Sequence, residues 1–181
     1  MIYCFFARGF EEIEAIATVD ILRRANLDVT TVGIKNTEIE GSHEIPIITD
    51  IKHKKLNRAD DIEAVILPGG MPGTTSLEKS KTLKAVIEYC VEKDLTIGAI
   101  CAAPSILGHM NILQGKKATC FPGFENELYG ANYVDAPIVI DGNIITAKGA
   151  GCVFDFAFAL VEKLASKEIA DKVKASMQFP Y

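Results

Sequence analysis

The sequence predicts a single α/β domain over residues 1–181, built on a largely parallel sheet. Three observations predict it. Short apolar runs alternate along the chain with longer stretches whose apolar residues recur at helical spacing. Ile2 to Ala7 is apolar throughout and Thr96 to Ile100 largely so, the pattern of strands covered on both faces. The run Thr96-Ile97-Gly98-Ala99-Ile100 stops abruptly at Cys101 and turns into a helix through Ala102, Ala103 and Pro104. Pro104 suits the first turn of a helix, where its missing N–H leaves no intrahelical bond unmade.

Ile2 to Ala7 is the first strand, broken at Gly9, and Glu11 to Asn26 follows as a helix with Ile13, Ala17 and Ile21 at helical spacing. Glu11, Glu12 and Glu14 crowd its first turn, where the helix dipole tolerates negative charge. Glu14 also shares the inward face of Ala17 and Ile21, a place a carboxylate takes only for a reason. Asp28 to Ile34 is a second strand, and Glu38 to Thr49, two extended pieces around Gly41-Ser42, is a hairpin excursion. Ala64 to Leu67 is a third strand of the main sheet. It ends in Pro68-Gly69-Gly70-Met71-Pro72-Gly73, at the sheet edge where open α/β folds place their sites. That turn has neither phosphate-loop nor dinucleotide spacing. Either a backbone approach to a ligand or a sharp turn needing positive φ accounts for it.

Lys79 to Lys93 is an amphipathic helix feeding the strand that ends at Cys101, and Ala102 to Met110 is the helix beyond the corner. Lys117 to Phe121 is a short strand and Gly123 to Tyr129 a helical turn. Pro137 to Ile140 and Ile144 to Ala147 form a hairpin around Asp141-Gly142-Asn143. Gly149-Ala150-Gly151 leads into the helix Val153 to Ala165, and Lys167 to Met177 closes the chain. No repeat, low-complexity segment or linker divides it.

Composition excludes several classes of function. Of 181 residues, 49% are hydrophobic and 24% charged, an ordinary soluble balance. A net charge of −5 without a basic stripe argues against nucleic-acid binding. The opening apolar run is too short for a signal peptide, and no run approaches the roughly 20 apolar residues of a membrane span. The five cysteines, Cys4, Cys90, Cys101, Cys120 and Cys152, are widely spaced, with no C-x-x-C pair and no Cys/His cluster. Neither a disulfide framework nor a metal or other cofactor is expected, and the setting is read as reducing and cytoplasmic.

The corner at Cys101 has two readings. As a nucleophile elbow it holds the thiol exposed at the sheet edge, beside a helix N-terminus that favours the thiolate. As a plain small-residue corner it simply buries a cysteine. A thiol nucleophile for acyl transfer needs a base, usually His. His109 lies eight residues along the helix, about 12 Å up its axis at 1.5 Å per residue, and is too far away. His53 sits in the solvated basic run Lys52-His53-Lys54-Lys55, and His43 is in the hairpin, which could fold over the site. No triad follows from the sequence.

Four segments occur in order: Phe6-Ala7-Arg8-Gly9-Phe10-Glu11-Glu12-Ile13-Glu14, Leu67-Pro68-Gly69-Gly70, Ala99-Ile100-Cys101-Ala102-Ala103-Pro104, and Thr146-Ala147-Lys148-Gly149-Ala150-Gly151. Together they resemble the ThiJ/PfpI superfamily, in its DJ-1 branch, over essentially the whole chain. The resemblance implies a flavodoxin-like three-layer sandwich of the class I glutamine amidotransferase type. It also implies a homodimer with the first helix in its surface. By the same resemblance Cys101 is the oxidation-sensitive nucleophile and Glu14 the protonated carboxyl hydrogen-bonded to it. The backbone N–H groups of Gly70 and Ala102 form an oxyanion pocket, and Gly69, His43 and Phe121 lie around it. The implied substrate is a reactive carbonyl, methylglyoxal or a glycated protein, handled by deglycase or glyoxalase-type chemistry. The alternative is a redox-responsive sensor or chaperone in which Cys101 oxidation is the functional event. The chain departs from the pattern twice: Phe121, in Thr119-Cys120-Phe121-Pro122, stands where several members have histidine, and His43 where an arginine often lines the pocket mouth. Without that histidine a protease-like triad is not expected.

Overall fold

Every residue of β1 (Ile2–Phe6) is buried, as an unbroken apolar strand requires. The structure, a computed structural model, describes residues 1–56 and 61–180. α1 (Glu12–Arg24) begins after Glu11, whose carboxylate caps it by accepting the Glu14 N–H at 2.7 Å. β2 (Val29–Gly33) returns parallel to β1. β3 (Glu38–Glu40) and β4 (Pro46–Ile48) form a separate antiparallel hairpin, the excursion the sequence predicts. β5 (Ile51–Lys52) adds a two-residue edge strand that the sequence reading lacks, and β6 (Ala64–Leu67) pairs with the other side of β1.

After the glycine-rich turn the chain forms α2 (Gly73–Glu78), which the sequence reading lacks, before α3 (Lys81–Glu92), the helix predicted from Lys79. The break is a cap: the Ser80 hydroxyl accepts the Leu83 N–H and starts α3 afresh. β7 (Thr96–Ile100) is wholly buried, and α4 (Pro104–His109) is shorter than expected because residues 101–103 are a turn. β8 (Lys117–Ala118) pairs only with β9 (Asn132–Tyr133) and does not continue to Phe121. The Phe121 N–H bonds the Cys101 carbonyl instead of a ladder partner. β10 (Ile138–Asp141) and β11 (Ile144–Ala147) are the expected hairpin, followed by α5 (Val153–Leu164) and α6 (Lys167–Ser176).

The main sheet runs β10-β11-β7-β6-β1-β2-β5, parallel except for the β10–β11 pair. Alternate residues of each strand serve opposite faces. Ile2, Cys4 and Phe6 pack with α1, α5 and α6, through Leu22, Phe156, Leu160 and Val173. Tyr3 and Phe5 pack with α2, α3 and α4, through Leu77, Leu83, Ile87 and Leu107. The result is a flavodoxin-like three-layer α/β sandwich. Four neighbouring strands, β11, β7, β6 and β1, end at the same edge and release the loops that hold the site. Among the described residues no helix is long and apolar enough to cross a membrane.

Candidate active site

The last residues of β7 decide how Cys101 is presented. Its N–H still bonds the Ala147 carbonyl of β11 at 2.9 Å, so the backbone is in the sheet up to that atom. Its φ is then +65°, the left-handed region, which costs a residue with a side chain about 1–3 kcal/mol. The strain persists because the Cys101 carbonyl is held by the Phe121 N–H at 2.8 Å. This is the sharp strand-to-helix turn of a nucleophile elbow, and it leaves the thiol half-buried at the sheet edge. Gly69 lies directly against it. A Cβ there would sit 2.6 Å from Cys101 Cβ, 3.0 Å from Sγ and 2.8 Å from Glu14 Oε2, so only glycine fits. At Gly70, φ is +88° and a Cβ would lie 2.3 Å from the Glu11 nitrogen.

Glu14 is 1% exposed. Its Oε2 accepts the Gly69 N–H at 2.9 Å, whereas Oε1 is buried with no hydrogen-bond partner. Burial pushes its carboxyl up to about 7, although the neighbouring thiol and the Gly69 and Ala150 N–H groups pull the other way. The helix-start chemistry that explains Glu11 therefore does not explain Glu14. Ile21 and Leu22, fully buried on α1, contribute roughly 1.5–3 kcal/mol each and offset the burial of a carboxyl on the same helix.

The thiol pKa corrects one expectation. Burial, then the charge on Glu14, pushes the Cys101 thiol up to about 12, while the Gly70 and Ala102 N–H groups pull it down. A short α4 beginning only at Pro104 does not overcome those two effects. The push from Glu14 exists only while Glu14 is ionised. Through the neutral range the thiol therefore keeps its proton while Glu14 titrates, and a reaction that takes the thiol proton can leave it on an ionised Glu14.

The histidines are placed elsewhere. His43, at the β3–β4 turn, is brought to Glu12: Nδ1 lies 2.8 Å from Glu12 Oε2, and the His43 N–H donates to Oε1 at 2.7 Å. Burial alone would raise the Glu12 carboxyl, but these bonds and one from Ser42 hold it at about 2. His53 Nδ1 accepts the Lys35 N–H, and His109 sits between Glu78 and Glu127. Among the described residues no imidazole hydrogen-bonds the thiol. The Phe121 ring is 47% exposed and lies over Gly149, where a Cβ would be 3.3 Å from the ring and 3.8 Å from Glu14 Oε1. Ala150 is the neighbour that sequence reasoning missed, although its glycine-flanked loop was one of the four segments. Glu11, Glu12 and His43 each offer a ligand atom, all within 4.8 Å of one another. Hydrogen bonds within the cluster and the α1 cap already account for that grouping.

The geometry can be set beside known proteins. A family model described as DJ-1/PfpI matches residues 1–163. The Parkinson disease protein 7 homolog of Danio rerio is 34% identical over 175 residues, covering 94% of this chain and 93% of that protein. Glutathione-independent glyoxalase DJR-1.2 of Caenorhabditis elegans is 34% identical over 161 residues, 87% of this chain and 84% of its own length. The crystal structure of a DJ-1 superfamily protein from Salmonella typhimurium superposes with a TM-score of 0.93 at 33% identity. It covers 99% of this chain and 98% of that one.

Proposed function

The chain belongs to the DJ-1/PfpI family, and on that premise we propose that it is a cysteine-dependent enzyme converting reactive dicarbonyls such as methylglyoxal to hydroxy acids. The observation that carries this reading is a buried carboxyl with its pKa near neutrality beside a thiol that two backbone N–H groups face. The name of the Caenorhabditis elegans relative supports it. In this reading Cys101 Sγ adds to the aldehyde carbon, forming a C–S bond and moving the carbonyl pair onto oxygen. The Gly70 and Ala102 N–H groups stabilise that oxyanion, and Glu14 carries the thiol proton to it. Glu14 next moves the C–H proton from the former aldehyde carbon to its neighbour, and the hydroxyl proton passes to the neighbour's oxygen, which leaves a thioester on Cys101. Water then cleaves the resulting thioester, releasing the hydroxy acid and restoring the thiol. Dicarbonyl plus water becomes hydroxy acid: one carbon is oxidised and its neighbour reduced, without an external oxidant. In a glycated protein that carbon already carries the side chain's nitrogen or sulfur, which must leave, taking a proton, to free the aldehyde before Cys101 adds. Lactate formed from methylglyoxal by the wild type, and not by Cys101→Ser, is the expected result. Equal rates in the two would sink the proposal.

One observation favours a second reading. Glu14 Oε1, buried without a partner, can donate to a sulfinate oxygen on Cys101 once protonated, and such a bond is among the strong ones. Peroxide oxidation of Cys101 would then be the functional event of a redox sensor or chaperone. Mass spectrometry after limited peroxide treatment separates the readings, because a Cys101 that stays reduced rules the second one out.

Two further properties belong to this proposal. The cytoplasm suits five unpaired cysteines, since reducing compartments keep thiols free. A homodimer suits α1, whose outward Ile13 and Ile16 are 54% and 44% exposed.

A further inference from the structure

His109 is held at both ring nitrogens. Nδ1 lies 2.6 Å from Glu78 Oε1 and Nε2 2.8 Å from Glu127 Oε2, and the ring packs on Tyr129 with centroids 4.9 Å apart. Two carboxylate acceptors, one at each nitrogen, need two N–H donors, and only the imidazolium has both.

The three elements so joined each lead to the site. Glu78 ends α2, and α2 grips the glycine-rich turn: the Thr74 N–H and hydroxyl both donate to the Gly70 carbonyl, at 2.9 and 3.0 Å. His109 ends α4, and α4 grips the elbow: the Ser105 N–H and hydroxyl donate to the Ala102 carbonyl, at 3.1 and 2.7 Å. Glu127 lies in the 3₁₀ turn 125–127, tied to Phe121 through Phe124, whose N–H donates to the Phe121 carbonyl at 3.1 Å. The Glu127 N–H in turn donates to Phe124 at 3.0 Å. Gly108 lets α4 approach this turn, since a Cβ there would sit 2.1 Å from the Glu127 carbonyl oxygen.

We propose that His109 is a positioning residue for the site, a charged clamp that fixes the Gly70, Ala102 and Phe121 segments to one another around Cys101. It touches neither thiol nor substrate. It sets the spacing of the two backbone donors by fastening the far ends of the elements that carry them. The charged groups around it are Glu78 and Glu127 in contact, and Lys84, Glu88 and Glu92 of α3, which line the same cavity of about 650 Å³. Burial works against the imidazolium, but Glu127 and Glu78 raise its pKa above the ordinary histidine value. The clamp therefore holds while both carboxylates are ionised and the imidazole is protonated, and is lost as pH rises through that raised pKa.

The proposal rests on the carbonyl-addition reading for its kinetic test and needs a second readout independent of it. His109→Phe removes both donors, His109→Gln keeps one, and His109→Arg supplies donors to both carboxylates at every pH. With methylglyoxal, His109→Phe should lower kcat roughly ten-fold with little change in KM. That is less than the roughly 10²–10³ lost when an oxyanion donor is removed outright. His109→Gln should fall between Phe and wild type, and His109→Arg should recover most of the rate and lack the decline the wild type shows as the imidazolium deprotonates. In parallel, the iodoacetamide alkylation rate of Cys101 against pH, and amide hydrogen exchange of residues 70–78 and 121–129, read the clamp without any turnover. Lower protection factors, with exchange corrected for its intrinsic pH dependence, are expected in His109→Phe and in wild type at high pH, but not in His109→Arg. A wild type that does not turn over methylglyoxal, with those shifts intact, sinks the carbonyl reading and leaves the clamp standing. An Arg variant as slow and as exchangeable as Phe, or Phe and Gln variants matching wild type in exchange and alkylation profile, overturns the clamp.

Discussion

Glu14 binds its proton more tightly in the folded chain than in the unfolded one, because burial raises its carboxyl from 4.5 to about 7. The sign follows by linkage: the folded state is favoured below the unfolded value, and the advantage is lost as pH rises from there to the folded one. At pH 8 the buried carboxylate costs up to about 3 kcal/mol. Urea unfolding should therefore show Glu14→Gln gaining much of that at pH 8 and little at pH 4, while methylglyoxal turnover is lost. A variant no more stable than wild type at pH 8 would contradict the burial argument. Thiol selectivity belongs at the same scale. Cys4, Cys90 and Cys120 are fully buried whereas Cys101 is only half-buried at the elbow, so access, not a lowered thiol pKa, makes Cys101 the expected first site of peroxide. Peptide mapping that found Cys120 or Cys152 oxidised ahead of Cys101 would refute this. Glu14 was legible in the sequence as a carboxylate on an inward helix face. Its two oxygens' surroundings were not, because Gly69 bonds Oε2 and Gly149 lies near Oε1, both far from Glu14 in the chain.

At the scale of elements, the abrupt stop of β7 at Cys101 follows from local sequence, while the left-handed φ and half-buried thiol that make it an elbow do not. The lengths of α2, α4 and β8 depend on capping and on bonds to distant segments. The Ser80 cap starts α3 two residues later than periodicity places it, and the Phe121–Cys101 bond holds the end of the predicted strand, residues 119–121, outside β8. The turn after β6 is the most exacting of these elements. Gly69→Ala would drive a methyl into Cys101 and Glu14, and overpacking of this kind costs about 1–3 kcal/mol. A fall in Tm together with loss of dicarbonyl turnover is expected, and a fully active Gly69→Ala would show that the turn does not set the thiol's position. The segment after β8 bears on reaction type. Peptide hydrolysis needs an acid to protonate the amine leaving group, and Phe121 cannot supply one. Addition to an aldehyde expels no amine. Unmodified casein and simple peptides should remain intact, and Phe121→His should raise thiol reactivity without creating a protease. Cys101-dependent cleavage by a clean preparation would overturn that expectation.

For the whole molecule, the two faces of the sheet are covered by different helices, while the outer side of α1 keeps two isoleucines in solvent. If that side is the dimer surface, Ile16→Glu should shift sedimentation equilibrium towards monomer and leave the circular dichroism spectrum unchanged. An unaltered association state would place the interface elsewhere. Helices on both faces of one sheet also lead us to expect a single cooperative unfolding transition, coincident by fluorescence and circular dichroism.

The sequence by itself determined the alternation of strand and helix, the apolar strands, the abrupt turn at Cys101 and the inward Glu14. Each of these is a local pattern of hydrophobicity, turn residues and helical spacing. Tertiary structure alone decided which way the thiol pKa moves, what His43 pairs with and what His109 joins. A buried group's charge state depends on the atoms that replace water around it, and those atoms come from loops far apart in the chain. Glu78 and Glu127 lie 31 and 18 residues from His109, so no sequence period links them to it. They meet because the ends of α2 and α4 and the turn after β8 pack together behind the same sheet edge.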